Sequence, residues 1–199
     1  MRILFVVMAF LGLFKGPQPV ESVNLLIVGE AVCGDAEMDH LQKIASAAGK
    51  TLVMGFAEDV SALPEGSWDA VVFSQRDSSL RQNVKAVRGS LGNRIAVYMA
   101  QTDMETSRKA AGSCGAKVLP DACAYGNLGK ICKDEFAAMT EGNLTPVGCY
   151  TRACVWYEAL FNTKVFGSRY GGSIKDEDRR CAQLSADAAI KKPFKICLK

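Results

Sequence analysis

Residues 94–121 read RIAVYMAQTDMETSRKAAGSCGAKVLPD, and their pattern decides the fold. Arg94 to Ala100 is a short apolar run rich in strand formers. Thr102 and Glu105 match the S/T-x-x-E capping box and predict the start of a helix. Gly115 stops that helix, and Lys117 to Leu119 makes a second short strand. Strands separated by helices imply a parallel sheet, since parallel neighbours need a crossover connection.

The same rhythm holds upstream. Asn24 to Gly29 (NLLIVG) and Thr51 to Phe56 (TLVMGF) read as buried strands. Between them Asp35 is placed to cap a helix carrying Met38, Leu41, Ile44 and Ala48 on one face. Trp68 to Gln75 (WDAVVFSQ) is a third strand. After it, Asp77 precedes a helix with Leu80, Val84, Val87 and Leu91, stopped by Gly92. The segment 59–67 is too short and too rich in Pro and Gly for a full helix. Downstream, Asp121 to Met139 is predicted helical, though Gly126 and Gly129 weaken it. The expectation is a five-stranded, parallel, doubly wound α/β sheet over residues 23–145, which the resemblance described below makes flavodoxin-like. Residues 146–199 break the rhythm and read as an irregular or helical Cys-rich extension.

Composition narrows the function classes. The 199 residues are 49% hydrophobic and 23% charged, with a formal net charge of +3. That excludes a disordered chain and a strongly basic nucleic-acid binder. The basic excess lies in residues 146–199, with ten Lys/Arg against five Asp/Glu, but it is spread along the chain. The only histidine, His40, is expected on the solvated face of the first helix, so His-dependent catalysis has little support.

Arg2 followed by the apolar run Ile3–Phe14 has the order of a secretory signal peptide, with residues 1–22 removed. The run is too short to span a bilayer, so no stable transmembrane segment is expected. Eight cysteines, an even number, suit an exported chain with structural disulfides: Cys33, Cys114, Cys123, Cys132, Cys149, Cys154, Cys181 and Cys197. Their pairing is open. No Cys-x-x-Cys exists, so neither a zinc knuckle nor a thioredoxin-type site is expected. Asn143-Leu144-Thr145 is a formal glycosylation sequon, but Pro146 follows it and argues against use.

Few residues carry obvious chemistry. Gly29-Glu30-Ala31-Val32-Cys33-Gly34 is a G-x-A-x-x-G variant at a strand–helix turn, where glycines let a backbone approach a pyrophosphate. No Lys-Ser/Thr follows Gly34, so it is not a P-loop. Ala111-Gly112-Ser113-Cys114-Gly115 lacks the first glycine of a nucleophile elbow and falls at a helix end. Asp176, Glu177 and Asp178 read as a solvated charged loop.

Two family resemblances follow from particular stretches. Residues 57–73 (AEDVSALPEGSWDAVVF) resemble the middle of a Rossmann-type methyltransferase, which implies S-adenosylmethionine as a ligand. Residues 24–121, best in 94–121, resemble a bacterial response-regulator receiver domain. That resemblance implies an acidic magnesium pair, a phosphoacceptor Asp, a hydroxyl residue and a Lys. Here Gly29 and Glu30 stand at the pair and Ser74 at the phosphoacceptor. Gln101 or Thr102 stands at the hydroxyl position, and Pro120 or Asp121 at the Lys. Glu30 alone survives, so the resemblance implies the fold without phosphorylation.

The sequence therefore points to a non-enzymatic binding or structural subunit that works through protein contacts, in a secreted or endomembrane setting or, as the alternative, in an intracellular or organellar complex with reduced cysteines. No metal, cofactor or nucleic-acid partner is expected. Trp156, Tyr157, Phe161 and Phe166 are the candidate interface aromatics. The alternative is an enzyme or sensor holding a nucleotide or S-adenosylmethionine at the strand ends, against Gly29, Glu30, Gly34, Ser74, Gln75 and Gln101.

Overall fold

The computed structural model describes residues 19–29, 34–74, 79–134 and 136–198. Five strands form one parallel sheet: β1 (Ser22–Val28), β2 (Thr51–Ala57), β3 (Ala70–Ser74), β4 (Ala96–Ala100) and β5 (Lys117–Leu119), in the order β2-β1-β3-β4-β5. The parallel doubly wound sheet is as expected from the alternation of apolar runs and helices, and its strand order is flavodoxin-like. The signal-peptide stretch lies outside the described residues. No helix among the described residues is long and apolar enough to cross a membrane.

Successive residues of β1 point to opposite faces, and both faces are buried. Leu25 and Ile27 join one core, and Leu26 and Val28 the other. That is why the strand reads as an unbroken apolar run. Helices α2 (Leu80–Leu91) and α3 (Met104–Cys114) cover the second face. No helix links β2 to β3. Instead, Val60, Leu63 and Trp68 pack onto that core from the connecting loop. The Trp68 indole N–H donates to the Pro64 carbonyl at 3.2 Å, which closes the loop on itself.

The first face is covered by α1 (Asp35–Ala47), α5 (Pro146–Phe161) and α6 (Asp176–Lys191), with α4 (Asp121–Cys132) alongside. The C-terminal third is therefore not an appended extension. Trp156, Tyr150 and Phe161 are completely buried in the same core as Leu25 and Leu41. Without α5 this core would lose its largest buried side chains. The apolar residues of α5 run almost all round the helix, as expected of one enclosed by neighbours.

Several local expectations need correction. Asp103, not Thr102, caps α3; its carboxylate accepts the Thr106 N–H at 2.8 Å. Gly34, not Asp35, is the N-cap of α1, and Ser79, not the expected Asp77, is the N-cap of α2. Helix α4 ends at Cys132, because Lys133 turns into the left-handed region with φ 53°. A small hairpin of β6 (Met139–Thr140) and β7 (Asn143–Leu144) follows. Asp176, Glu177 and Asp178 form the first turn of α6, where the helix dipole favours negative charge.

The hairpin leads tightly into α5. Thr145 of the sequon is the N-cap: its hydroxyl accepts the Gly148 N–H at 3.0 Å and donates to the Ala137 carbonyl at 2.7 Å. Gly148 then lies against the hairpin backbone, where a Cβ would stand 2.0 Å from the Ala138 oxygen. Only glycine fits that approach.

Candidate functional site

Doubly wound sheets bind ligands beyond the carboxyl ends of the strands, where the strand order reverses. Here the reversal falls between β1 and β3. The residues that the sequence nominates converge on this edge. Gly29 turns off β1 with φ 100°, its N–H held by the Ala57 carbonyl at 2.9 Å. Gly34 opens α1, and Ser74 ends β3 opposite Ala100. Glu30, Cys33 and Gln75 lie outside the described residues.

Gln101, at the end of β4, is fully buried and fully engaged. Its amide nitrogen donates to the Ser107 hydroxyl at 2.8 Å and the Pro193 carbonyl at 3.2 Å. Its oxygen accepts the Cys123 N–H at 3.1 Å. One side chain thus ties β4 to α3, α4 and the segment after α6. Asn127 does similar work: its oxygen accepts the backbone N–H groups of Cys197 and Leu198 at 2.8 and 3.1 Å.

Beside this edge the tertiary fold assembles a buried charged cluster that sequence reading misses. Arg152 of α5 reaches Glu37 in the first turn of α1 at 3.2 Å and Asp121 at the start of α4 at 3.4 Å. The Trp156 indole N–H donates to both Asp121 oxygens, at 3.2 and 3.3 Å. Two carboxylates share one guanidinium, and each also sits at a helix N-terminus, where the dipole favours its charge. Burial dominates nonetheless and pushes the Asp121 carboxyl up to about 7, against the pull of Arg152 and the Trp156 bond. Cys149 is also buried next to Glu37, and burial pushes its thiol up, the opposite of a reactive thiolate. The cluster clamps α1, α4 and α5 together.

His40 is not on a solvated face. Its Nδ1 lies 3.0 Å from the Tyr170 hydroxyl, and its ring meets Tyr150 edge-on at 5.5 Å. Burial lowers its pKa. Tyr150 in turn donates to the Tyr170 carbonyl at 2.6 Å and accepts from Gln183 at 2.9 Å. This network pins the loop before α6 onto α1 and α5.

Of the interface aromatics, Trp156, Tyr157 and Phe161 are at most 1% exposed, so they are core and cannot meet a partner. Phe166 is 54% exposed. The expected disulfides are not formed: all seven described cysteines are free, although Cys132 and Cys181 stand 4.2 Å apart. Among the described residues no three His, Cys, Asp or Glu side chains gather in a metal-binding group.

An open groove of about 710 Å³ runs along the outer side of α4. Tyr125, Gly126 and Gly129 line it, with Lys130, Lys133, Asp134, Phe136 and Ile196. Phe136 is 61% exposed and Ile196 37% exposed. Neither lysine makes an ion pair among the described residues. Tyr125 lines the groove, and its buried hydroxyl lies beside the Arg152 guanidinium of the charged cluster.

No protein-family model matches the chain, and no curated protein does. Among solved structures the chain is similar to a DUF4886 family protein from Bacteroides uniformis ATCC 8492. The TM-score is 0.71 at 18% identity, covering 88% of this chain and 97% of that one. The likeness supports the α/β fold described above.

Proposed function

We propose that the protein is a non-enzymatic binding or structural subunit that holds a protein partner in the α4 groove. One observation carries this reading. The groove combines an exposed aromatic and an exposed aliphatic side chain with two lysines that make no ion pair among the described residues, whereas the polar residues described at the sheet edge are spent on internal bonds. Exposed apolar groups rimmed by charge are the usual form of an interaction site. Lys130 and Lys133 on the groove wall are the groups that an acidic segment around an apolar anchor would meet. Export to an oxidising compartment belongs to the same reading, supported by the Arg2-led apolar run and the even cysteine count.

The test is fluorescence anisotropy with a labelled synthetic peptide carrying a Phe-Leu anchor between glutamates. A Lys-for-Glu version of the same peptide is the control. The acidic peptide is expected to bind more tightly. Phe136→Ala and the pair Lys130→Glu/Lys133→Glu should each weaken it roughly tenfold without lowering Tm. Equal binding of both peptides would refute the groove. A parallel thermal-shift series with nucleotides and S-adenosylmethionine tests the alternative; stabilisation of several degrees by one of them would favour a small-molecule site instead.

A further inference from the structure

We propose that Cys132 and Cys181 are a redox-active pair that closes into a disulfide, a covalent staple between the end of α4 and the second turn of α6. The two residues stand 4.2 Å apart on helices that already pack together, within reach of a rotamer adjustment. Both are only partly buried, so a small oxidant can reach them; burial and the adjacent Cys181 push the Cys132 thiol up to about 11, so closure should be faster at alkaline pH.

The other described cysteines lack this combination. Cys123 and Cys197 both donate to the Lys195 carbonyl, at 3.3 and 3.1 Å, but Cys123 is fully buried. Cys149 and Cys154 are buried on one helix, five residues apart. Cys114 lies in the core on the opposite face of the sheet. A metal at Cys132 and Cys181 would need further ligands, and no three-residue group exists among the described residues.

The oxidant is a low-molecular-weight disulfide. One cysteine thiolate attacks it, forming a mixed disulfide and expelling one small thiolate. The second cysteine thiolate attacks the protein sulfur of that mixed disulfide. The intramolecular S–S bond forms and the second small thiolate leaves. The protein dithiol loses two electrons and two protons, and the small disulfide becomes two thiols. The staple would lock the helix that floors the groove to the helix behind it. It rests on the export reading for an oxidising setting, but the pairing itself is tested in vitro.

The experiment starts with the reduced full chain, incubated with oxidised glutathione. Remaining thiols are then alkylated, and the chain is digested without reduction and mapped by mass. One linked peptide pair containing Cys132 and Cys181 is expected. The staple closes a loop of roughly fifty residues, so Tm should rise by roughly 10 °C and fall back on reduction. Cys132→Ser and Cys181→Ser should each abolish the link and the rise, and leave the other thiol carrying glutathione. Alkylation of both cysteines, a separate glutathione on each, or a link to another cysteine would overturn the proposal. If the pair closes in vitro while the protein from its native source keeps residues 1–22, the export reading fails and the staple stands.

Discussion

Replacing Arg152 with methionine keeps a flexible, unbranched stem and removes the cation that bridges Glu37 and Asp121. The Asp121 side chain has no exposure, and those of Glu37 and Arg152 are 8% and 15% exposed. Removing one partner from a buried pair costs about 3–5 kcal/mol, because the remaining charge stays desolvated. The cost should depend on pH in a defined direction. In the wild type the Asp121 carboxyl titrates at about 7 in the folded state. Losing Arg152 raises that value further while the unfolded value is unchanged. The folded variant then keeps its proton where the wild type has released it, so the variant loses more stability as pH rises. If the variant value lies above about 9, the added cost at pH 8 relative to pH 5 is about 1.4 kcal/mol. Urea unfolding at the two pH values, followed by tryptophan fluorescence, measures it. Trp156 donates directly to Asp121 and reports the site. In an Asp121→Asn background the pH dependence of the Arg152→Met cost should shrink. An equal cost at pH 5 and pH 8 with Asp121 intact would refute this account of the cluster.

Other expectations come from the same geometry. The wild type should lose stability between pH 5 and pH 8, because burial raises both Asp121 and Glu158 to about 7 and the folded state holds protons that the unfolded state has released. Asp121→Asn or Glu158→Gln should flatten that slope in urea titrations across the range. Gly148→Ala should cost about 3 kcal/mol in urea unfolding, since a Cβ would meet the Ala138 oxygen at 2.0 Å and only backbone movement can relieve it. Gln101→Ala should cost about 2–3 kcal/mol, because the Cys123 N–H loses its acceptor and the Pro193 carbonyl a donor. Hydrogen exchange should then speed up in residues 193–198.

Much of the fold is legible in the sequence because its signals are local. Lys117–Leu119 is a strand as expected, and Leu80, Val84 and Val87 form the buried stripe of α2. Helix ends are less legible. Asp103 competes with Thr102 for the cap of α3, and Lys133 ends α4 by adopting a left-handed conformation that composition does not reveal. The aromatics of α5 are ambiguous for another reason. A residue pattern that is apolar nearly all round suits both a core helix and an exposed patch, and only the presence of α1 and α6 on either side decides for the core.

The site shows the same division more sharply. By itself the sequence determines the alternation of strand and helix, the parallel sheet, and hence the edge where Gly29, Gly34, Ser74 and Gln101 come together. Those follow from periodicity and turn residues within some thirty positions. Only the tertiary structure decides that Gln101 is spent on internal bonds and that Arg152 bridges Glu37 and Asp121 from a third helix. It also decides that Cys132 meets Cys181, and that Phe136 and Ile196 flank one groove. These partners are far apart in the chain, and a contact between distant residues exists only after the helices have packed. The packing is set by the summed burial of whole faces, not by any local signal at the residues that it brings together.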